Sequence, residues 1–435
     1  MNFLLSAGEA SGDTYGAQLI EALCGLAPSS TFFGMGGEKM RDSGAELLIH
    51  ANEVAVVGLV EVVKHLPDIR RRFKHLVAEA TRRKPNAAIL IDFPDFNLRL
   101  ARELHRLGVP VFYFVSPQIW AWRTGRVKQI KKYVRKMIVI FPFEQEFYGR
   151  HGVEVSYVGH PLAYEPAPLI SREEFAARHH LDPKKQWIAL LPGSRRKEVR
   201  LNLPAMVEAA KLLLNQAAEF EFLLPVASTL NPEWLRGQLE QTQGLKPIVI
   251  TVPNSALKGR SSTETTGQPS AAGWSRPLGL RKELNDTPAL AAEVKPEAPM
   301  ITLTDYARAT LMHARAAVVA SGTATVEAAL SGTPFVVVYR LAPLTWLLGR
   351  KLVKLDTFAM PNLIAGKKIV TELIQNDFTA QNVVRELNAI IPDGPARQQM
   401  EADLKMVHQR LHDSPDAESP AQRAAREILG ALRPA

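Results

Sequence analysis

The chain has 435 residues, of which 46% are hydrophobic and 22% are charged. These values are ordinary for a globular protein of two or three domains and exclude a disordered chain. Cys24 is the only cysteine, which excludes an intramolecular disulfide framework and a thiolate metal cluster. The net charge of +9 favours an anionic partner, but charge alone does not choose between a nucleic acid, an acidic membrane surface and a phosphorylated substrate.

The sequence carries no signal for secretion or for membrane insertion. The segment Met1–Leu5 has no basic residues, and Glu9 and Asp13 follow too soon for a signal peptide. No uninterrupted apolar run reaches roughly 18 residues, the length that a spanning helix needs. We therefore expect a cytoplasmic protein that is soluble or bound to a membrane surface.

Strand-like apolar runs alternate with helical patterns through the first half of the chain. The runs are Phe3–Ala7, Ala87–Ile91, Val111–Val115, Met137–Ile140 and Val155–Val158. Helical patterns at Thr14–Leu26 and Phe96–Leu107 lie between them. This alternation is typical of βαβ units and a parallel sheet. It predicts a Rossmann-like domain over residues 1–165, which closes near Gly159–Pro161.

The second half repeats this pattern. Its strand-like runs are Trp187–Leu191, Glu221–Pro225, Pro247–Val252, Ala316–Ala320 and Pro334–Tyr339. The repetition predicts a second doubly wound domain over residues 166–375. Two such α/β domains in tandem bind ligands in the cleft between the carboxyl ends of their sheets.

Two segments depart from the alternation. Residues 253–299 are rich in Pro, Ser and Thr with little apolar periodicity, and we interpret them as a mobile surface insertion. After Asn362 the pattern is helical, and no further strand is predicted. The predicted helices are Val370–Leu373, Ala380–Ile390, Ala396–Leu411 and Ala421–Leu432. We expect the C-terminal region, residues 376–435, to pack as helices on the outside of the domains.

Two turns resemble anion-binding loops. Gly193 and Ser194 follow the buried run Trp187–Leu191, and Arg195 or Arg196 can add a charged fork to the loop amides. An ordinary strand-to-helix turn with solvated arginines explains that stretch equally well. Ser321, Gly322 and Thr323 form a second turn before a helix that carries Glu327, which could hold both hydroxyls of a ribose. Two such loops in one domain favour a nucleotide diphosphate.

The loop after the first strand contains Gly8, Glu9 and Ser11 directly before a helix. Its small residues allow a ligand to approach closely, and Glu9 can accept hydrogen bonds from sugar hydroxyls. The glycine spacing does not fit the dinucleotide fingerprint, which argues against NAD. Asp13 has a structural alternative, the capping of its own helix, and we favour it.

Asp92 follows the apolar strand Ala87–Ile91, at the edge of the predicted cleft. A carboxylate there can take a proton from an attacking hydroxyl, although aspartates at strand ends also cap loops. Asp95 precedes a helical pattern, which gives it a structural role as the N-cap.

Two further features favour more than one interpretation. Trp120 and Trp122 lie beside arginines after a strand, where they could stack on a sugar, contact a membrane interface or fill the core. The stretch Val54–Leu76 is basic and amphipathic, and so is Trp346–Lys354. Such a stretch can lie on an anionic membrane, but it more often packs on its own sheet.

No D-x-D, H-E-x-x-H or P-loop motif occurs in the chain. We therefore expect neither a metal clamp on the diphosphate nor ATP hydrolysis, and Arg195 would neutralise the leaving group.

Seven motifs in order resemble the lipid-A-disaccharide synthase family: SAGEASGD, IDFPDFN, FVSPQIWAWR, FPFEQEFY, LLPGSR, ASGTATVE and MPNLIAG. The resemblance implies a metal-independent, inverting glycosyltransferase with two Rossmann-like domains in the GT-B arrangement. Its substrates would be UDP-2,3-diacylglucosamine and 2,3-diacylglucosamine 1-phosphate, and its products UDP and the β-1,6-linked disaccharide of lipid A. No cofactor and no nucleic-acid partner are implied.

The resemblance also implies roles for individual residues. Asp92 would be the base for the acceptor 6-hydroxyl, and Arg195 would bind the UDP diphosphate. The residues that would line the cleft or face the nucleotide are Glu9, Ser11, Ser321, Gly322, Thr323, Glu327 and Asn362. The family further implies a dimer that exchanges C-terminal segments and works at the cytoplasmic face of the inner membrane, but the long insertion departs from the family pattern and leaves the dimer geometry open.

Two other functions fit the same sequence. A UDP-GlcNAc 2-epimerase of the same fold would turn over a water-soluble nucleotide sugar without an acyl acceptor. A catalytically silent protein that binds nucleotide sugars or membranes would bind UDP without releasing it from a donor.

Overall fold

The computed structural model describes residues 1–54, 59–216, 219–243, 301–341, 357–412 and 418–433, and at 59–66, 122 and 243 it describes the backbone only. The expected strand Pro247–Val252, the expected insertion 253–299 and the basic stretch Trp346–Lys354 lie outside the described residues.

The first half forms a seven-stranded sheet in the order β3-β2-β1-β4-β5-β6-β7. All its neighbouring strands are parallel. The strands are β1 (Asn2–Ala7), β2 (Thr31–Gly36), β3 (Ala45–His50), β4 (Ala87–Ile91), β5 (Val111–Phe114), β6 (Lys136–Val139) and β7 (Val155–Tyr157). The helices are α1 (Ala10–Leu26), α2 (Glu38–Asp42), α3 (Leu59–Arg83), α4 (Pro94–Arg106), α5 (Ile119–Trp122), α6 (Val127–Tyr133), α7 (Pro142–Arg150) and α8 (Pro161–Tyr164).

The second half forms a six-stranded parallel sheet in the order β10-β9-β8-β11-β12-β13. The strands are β8 (Gln186–Leu191), β9 (Phe220–Pro225), β10 (Ile301–Thr304), β11 (Ala316–Ala320), β12 (Phe335–Tyr339) and β13 (Glu372–Ile374). The helices are α9 (Arg172–His179), α10 (Arg196–Gln216), α11 (Pro232–Gln243), α12 (Ala307–His313), α13 (Thr323–Leu330), α14 (Met360–Ala365), α15 (Ala380–Ile390), α16 (Pro395–Leu411) and α17 (Pro420–Leu432).

Successive side chains of a strand point to opposite faces of its sheet. Because the apolar side chains on both faces are buried, each sheet has an apolar core on either side. In the first sheet Leu4 and Leu90 belong to one core, whereas Leu5 and Ile89 belong to the other. The two parallel sheets with helices on both faces confirm the predicted α/β class.

The last helix, α17, returns to the first half of the chain. Its buried residues Ala424, Ala425 and Ile428 share a core with Leu19 and Leu23 of α1. The helices α15 and α16, by contrast, contribute to the cores of the second half. The chain therefore returns from the second half to the first between α16 and α17.

Two expectations about strands are wrong. Val370–Leu373 is not a helix, because Glu372 and Leu373 belong to the edge strand β13, which is too short for its period to be read from sequence. Sequence reasoning also missed β3, β10 and β2, and in β2 glycines interrupt the apolar run. Gly34, at φ 146°, lies so close to β1 that a Cβ there would stand 2.0 Å from the Leu5 carbonyl oxygen, so only glycine fits.

Candidate functional site

Loops from both halves meet at the carboxyl ends of the two sheets. Glu9 follows β1, and its Oε2 lies 3.6 Å from Nη2 of Arg195, which follows β8. Both charges also act on Asp92, which follows β4. The structure thus brings together three residues, Glu9, Asp92 and Arg195, that the sequence places at the ends of separate strands.

Asp92 has an unusual backbone conformation. It lies at φ 44° and Phe93 lies at φ 51°, in the left-handed region that residues other than glycine rarely adopt. The Asp92 amide donates to the carbonyl oxygens of Phe114 (3.3 Å) and Val115 (3.2 Å). Its own carbonyl accepts from the Tyr113 hydroxyl at 2.6 Å. Such strain persists only where the surroundings fix it, as these contacts do.

Asn97 is the main support of this strained turn. It is fully buried, and its Nδ2 donates to the carbonyl oxygens of Asp92 (2.8 Å), Ile91 (3.2 Å) and Ser6 (3.1 Å). Its Oδ1 accepts from the Ser6 hydroxyl at 2.6 Å. Asn97 therefore ties the end of β1 to the end of β4. Its place in the motif IDFPDFN was the available signal, but sequence reasoning gave it no role.

Gly8 serves this turn rather than the approach of a ligand. A Cβ at Gly8 would lie 2.4 Å from the Phe93 ring. Any larger residue would push the ring away and disturb the left-handed pair next to it. The missing side chain of Gly8 thus makes room for Phe93.

The pKa of the Asp92 carboxyl is shifted toward neutral pH. Burial raises its pKa to about 6, and the negative charge of Glu9 acts in the same direction, whereas the Phe93 amide and Arg195 oppose the shift. A carboxylate whose pKa lies near neutrality is a more effective proton acceptor than an ordinary aspartate.

The loop after β8 differs from the prediction in one respect. Oε2 of Glu198, in the first turn of α10, accepts from the amides of Ser194 (3.1 Å) and Arg195 (3.3 Å). The expected use of the Ser194 amide for an anion is therefore corrected, because a carboxylate of the same chain already takes this hydrogen bond, whereas the part of Gly193 stays a prediction. The Arg195 guanidinium is 58% exposed and remains the ligand that this loop can offer.

Arg196 is separated from this site. Its guanidinium lies over the Trp234 ring, 5.2 Å from the ring centroid, whereas Arg195 points toward Glu9. The structure thereby distinguishes two arginines that the sequence left as alternatives.

The second loop lacks such an internal cap. Gly322, at φ 147°, is the N-cap of α13 and makes no side-chain capping bond. Gly322 and Thr323 are exposed, and Ser321 is half-buried with its amide bound to the Val338 carbonyl at 3.0 Å. A helix N-terminus without a side-chain cap favours an anion.

Glu327 of α13 lies on the side of the second half that faces α1. Burial raises its pKa, and the charge of Glu165 adds to the effect, while Arg308 opposes it. Tyr15 of α1 has its pKa raised by burial and then by the charges of Glu165, Glu327 and Asp92. Tyr15, which sequence reasoning missed, therefore lies between carboxylates of both halves.

Asn362 does not have the predicted role. It is 1% exposed, and its amide donates to the Val370 carbonyl (3.0 Å) and to Oε1 of Glu372 (2.8 Å). Its oxygen accepts from the amides of Ile369 (2.7 Å) and Val370 (2.9 Å). These bonds use every donor and acceptor of the side chain. Asn362 fixes the loop before β13 and offers nothing to a nucleotide.

Ser11 and Asp13 lie in different environments in the structure. Ser11 is exposed in the first turn of α1. Asp13 is buried and accepts from the amides of Gly37 (2.7 Å), Lys39 (3.1 Å) and Met40 (3.1 Å). The expected capping of its own helix is thus wrong, because the Asp13 carboxylate caps α2 instead.

Asp95 is not the N-cap of α4, a position that Phe93 occupies. Its Oδ1 accepts from Nη1 of Arg123 at 3.0 Å and also from Nη2 of Arg126. Burial acts to raise the pKa of Asp95, but Arg126 and Arg123 hold it below the usual range. The motif after β5 therefore places two guanidinium groups beside the start of α4.

Trp120 is half-buried and packs against a core that consists mainly of residues of the second half. Its Nε1 donates to Oε1 of the buried Glu144 at 3.1 Å, and its ring packs edge-on against Phe143. Burial raises the pKa of Glu144 to about 8, although the bonds from Trp120 and the Phe141 amide oppose this. Of the three roles considered for the tryptophans, Trp120 therefore has the one in the core. The side chain of Trp122 is not described.

The described part of α3 packs on the first sheet. Ile69, Phe73, Leu76 and Val77 contact the apolar core there, while neighbouring basic side chains such as Lys74 are exposed. The apolar side chains of the stretch up to Leu66 are not described. None of the helices in the described ranges is long and apolar enough to cross a bilayer. In those same ranges no three His, Cys, Asp or Glu side chains are grouped as metal ligands.

Comparison with protein families gives a match over most of the chain. A family model described as lipid-A-disaccharide synthetase matches residues 3–254 and 281–426. A lipid-A-disaccharide synthase of Koribacter versatilis is 48% identical over 99% of this chain and 98% of its own length. That of Geobacter sulfurreducens is 37% identical over 94% of this chain and 92% of its own length.

Solved structures show the same fold at low identity. UDP-GlcNAc 2-epimerase from Neisseria meningitidis bound to UDP-GlcNAc matches with a TM-score of 0.55 and 11% identity, over 99% of each chain. The calicheamicin glycosyltransferase CalG4 matches with a TM-score of 0.54 and 13% identity, over 99% of this chain and 98% of its own. These likenesses establish two Rossmann-like domains that face a cleft, the GT-B arrangement.

Proposed function

Because this chain belongs to the lipid-A-disaccharide synthetase family, it is a glycosyltransferase of lipid A biosynthesis with nucleotide-sugar and lipid substrates, and we propose how its residues carry out the reaction. The donor is UDP-2,3-diacylglucosamine and the acceptor is 2,3-diacylglucosamine 1-phosphate. The products are UDP and the β-1,6-linked disaccharide 1-phosphate.

The observation that carries this proposal is the cluster of Glu9, Asp92 and Arg195 across the two halves. Transfer of a glycosyl group to a hydroxyl needs a proton acceptor and a cation for the departing diphosphate on opposite sides of the anomeric carbon. Asp92, from the first half, and Arg195, from the second, supply one group each. Their charges are close enough to affect each other.

The reaction is an in-line displacement through an oxocarbenium-like transition state. The acceptor 6-hydroxyl attacks the anomeric carbon and loses its proton to the Asp92 carboxylate. The bond from the anomeric carbon to the UDP oxygen breaks, and configuration at that carbon is inverted. Arg195 binds the departing diphosphate, for which it gives up its 3.6 Å contact with Glu9. Glu9 and Ser11 line the sugar side of the cleft.

The nucleotide lies against α13. The diphosphate accepts hydrogen bonds from the uncapped turn of Ser321, Gly322 and Thr323, where the helix dipole favours negative charge. Glu327, in the second turn of the same helix, holds the ribose hydroxyls. The protein positions the leaving group with its own residues and requires no metal or other cofactor.

The protein works at the cytoplasmic face of the inner membrane as a homodimer. Both substrates carry acyl chains, so the reaction needs access to a lipid surface. The stretch Val54–Leu76 supports this proposal, since its sequence is basic and amphipathic and, in the part whose side chains are described, Arg70, Arg71 and Lys74 are exposed.

The product of the reaction tests the proposed function. The purified protein is incubated, with EDTA present, with acylated or non-acylated UDP-glucosamine and the lipid monosaccharide phosphate, and products are identified by mass. We expect the disaccharide phosphate and UDP from the acylated donor. Turnover of UDP-GlcNAc alone would instead indicate an epimerase, and UDP binding without any product would indicate a silent binding protein.

The pH profile tests the role of the Asp92 charge. A base acts only when deprotonated, so kcat/KM is expected to fall as the pH drops through about 6, the pKa of Asp92. Glu9→Gln removes a charge that raises this pKa, and the acid limb should therefore move to lower pH. A limb that stays in place in Glu9→Gln would contradict the electrostatic contact between the two carboxylates.

Asn97→Ala tests whether Asn97 holds the strained turn at Asp92 and Phe93 in place. The change leaves three buried carbonyl oxygens with fewer donors, so we expect a loss of stability of about 1–3 kcal/mol. Misplacement of Asp92 should also lower kcat by roughly 10- to 100-fold. Thermal unfolding and steady-state kinetics measure the two effects. The matched control is Asn388→Ala, because Asn388 is exposed on α15. Full turnover in folded Asn97→Ala would show that Asp92 is held in place without it.

A further inference from the structure

Arg123 and Arg126 converge on a single oxygen atom. Both guanidinium groups donate to Oδ1 of Asp95, Arg123 from 3.0 Å. The Asp95 side chain is 69% exposed, whereas that of Arg126 is 22% exposed. The guanidinium of Arg126 is therefore held by its surroundings, while the carboxylate that it faces is open to solvent. Paired guanidinium forks directed at one point are the arrangement by which proteins bind phosphate.

The strand order places these arginines beside Asp92. Neighbouring strands β1, β4 and β5 are parallel, so the residues that follow them lie along one edge of the sheet. Glu9, which contacts Arg195, follows β1, and Asp92 follows β4. Arg123 and Arg126 follow β5, so they lie on the side of Asp92 away from Glu9 and the proposed diphosphate site.

Two observations place the arginines beside the turn that carries Asp92. Asp95, their shared partner, is in the first turn of α4, three positions after Asp92. The charge of Arg126 also acts on the Tyr113 hydroxyl, which donates to the Asp92 carbonyl at 2.6 Å. The arginines therefore adjoin the turn that carries the base.

We infer that Arg123 and Arg126 bind the phosphate group of the acceptor sugar, and that Asp95 holds the two guanidinium groups in place before the substrate arrives. This inference rests on the proposed function. The attacking 6-hydroxyl and the 1-phosphate lie at opposite ends of one sugar ring. With the hydroxyl at Asp92, the phosphate then lies farther along the sheet edge, beyond β5. The strands there are ~5 Å apart.

The site gives the acceptor a fixed orientation. An acceptor whose phosphate is bound beyond β5 presents its 6-hydroxyl to Asp92 and not to solvent. The two guanidinium groups thus distinguish the acceptor, a sugar with a phosphate monoester, from the donor, whose diphosphate is esterified at both ends.

Steady-state kinetics of the full chain test the inference. In Arg123→Gln and Arg126→Gln we expect the KM for the acceptor to rise by roughly 10- to 100-fold, since each change removes charged hydrogen bonds. The KM for the donor should stay close to the wild-type value. Arg102→Gln is the matched control, because Arg102 is half exposed on α4 and pairs with Glu103.

A second acceptor separates binding of the phosphate from a structural role. The wild-type chain should use 2,3-diacylglucosamine 1-phosphate far better than the same sugar without phosphate, and both arginine variants should lose most of this preference. Arg126→Lys keeps the charge but not the planar fork, so it should show a smaller rise in acceptor KM.

Each outcome decides between the interpretations. A variant that retains the wild-type preference for the phosphorylated acceptor would overturn the inference, and so would an equal rise in the KM values of donor and acceptor. A wild-type chain that forms no disaccharide would instead show that the proposed function itself has failed.

Discussion

Asp92→Asn is expected to lower kcat by roughly 10²- to 10⁴-fold, the range that general base catalysis contributes. The amide has nearly the same shape as the carboxylate but cannot accept the proton of the acceptor hydroxyl. UDP should still bind, because Arg195 and the N-terminus of α13 are unchanged. Rate measurements with saturating substrates, together with calorimetric titration of UDP, separate the two quantities.

The control for this variant is a similar change at a distant carboxylate. Asp42→Asn alters an exposed residue at the end of α2, so turnover there should remain at the wild-type level. Near-normal turnover in Asp92→Asn would remove Asp92 as the base. A loss of UDP binding along with turnover would show that the carboxylate shapes the nucleotide site instead.

Arg195→Ala is expected to lower kcat/KM for the donor by roughly 10²- to 10³-fold, the effect of removing one group that stabilises developing charge. The guanidinium reaches across to Glu9 of the first half, and the neighbouring loop amides are already bound by Glu198. Arg195→Lys should recover only part of the loss, because an ammonium group cannot bind the diphosphate in a bidentate way.

Arg196→Ala is the matched control for this prediction. It removes the same side chain from the next position, but Arg196 packs over Trp234 and not toward Glu9. Donor kinetics should be close to those of the wild type. The account of the diphosphate site would be contradicted if Arg196→Ala lost donor affinity and Arg195→Ala did not.

The sequence was sufficient to predict the residues that follow long buried strands. Runs such as Ala87–Ile91 have strong apolar patterns, and parallel strands bring their carboxyl ends to one edge. The pattern thus placed Glu9, Asp92 and Arg195 after strands, and the family resemblance implied their roles in one cleft. The strands β2, β3, β10 and β13 were missed, because glycines, polar residues or short length weaken the period on which the prediction depends.

The sequence could not show which polar groups are already satisfied. Asp13 and the amides after Gly193 were predicted from chemistry that suits a local cap or a ligand, and the role of Asn362 was implied by the family resemblance. In the structure each is saturated by its own chain, at Val370, at α2 and at Glu198 respectively. Such pairings depend on tertiary contacts that no local pattern encodes.

The supporting residues of the site were missed for a related reason. Asn97 and Tyr113 act through backbone carbonyl groups, so their side chains carry no reactive chemistry that a motif would reveal. Tyr15 lies near carboxylates of both halves, a placement that exists only after the two sheets face each other.

The measurement that tests the central claim most directly is a structure of this chain with UDP bound. The account predicts the diphosphate between the Arg195 guanidinium and the turn of Ser321–Thr323, with the Asp92 carboxylate facing the same cleft. A diphosphate bound elsewhere, or an Asp92 side chain that points away from the cleft, would contradict it.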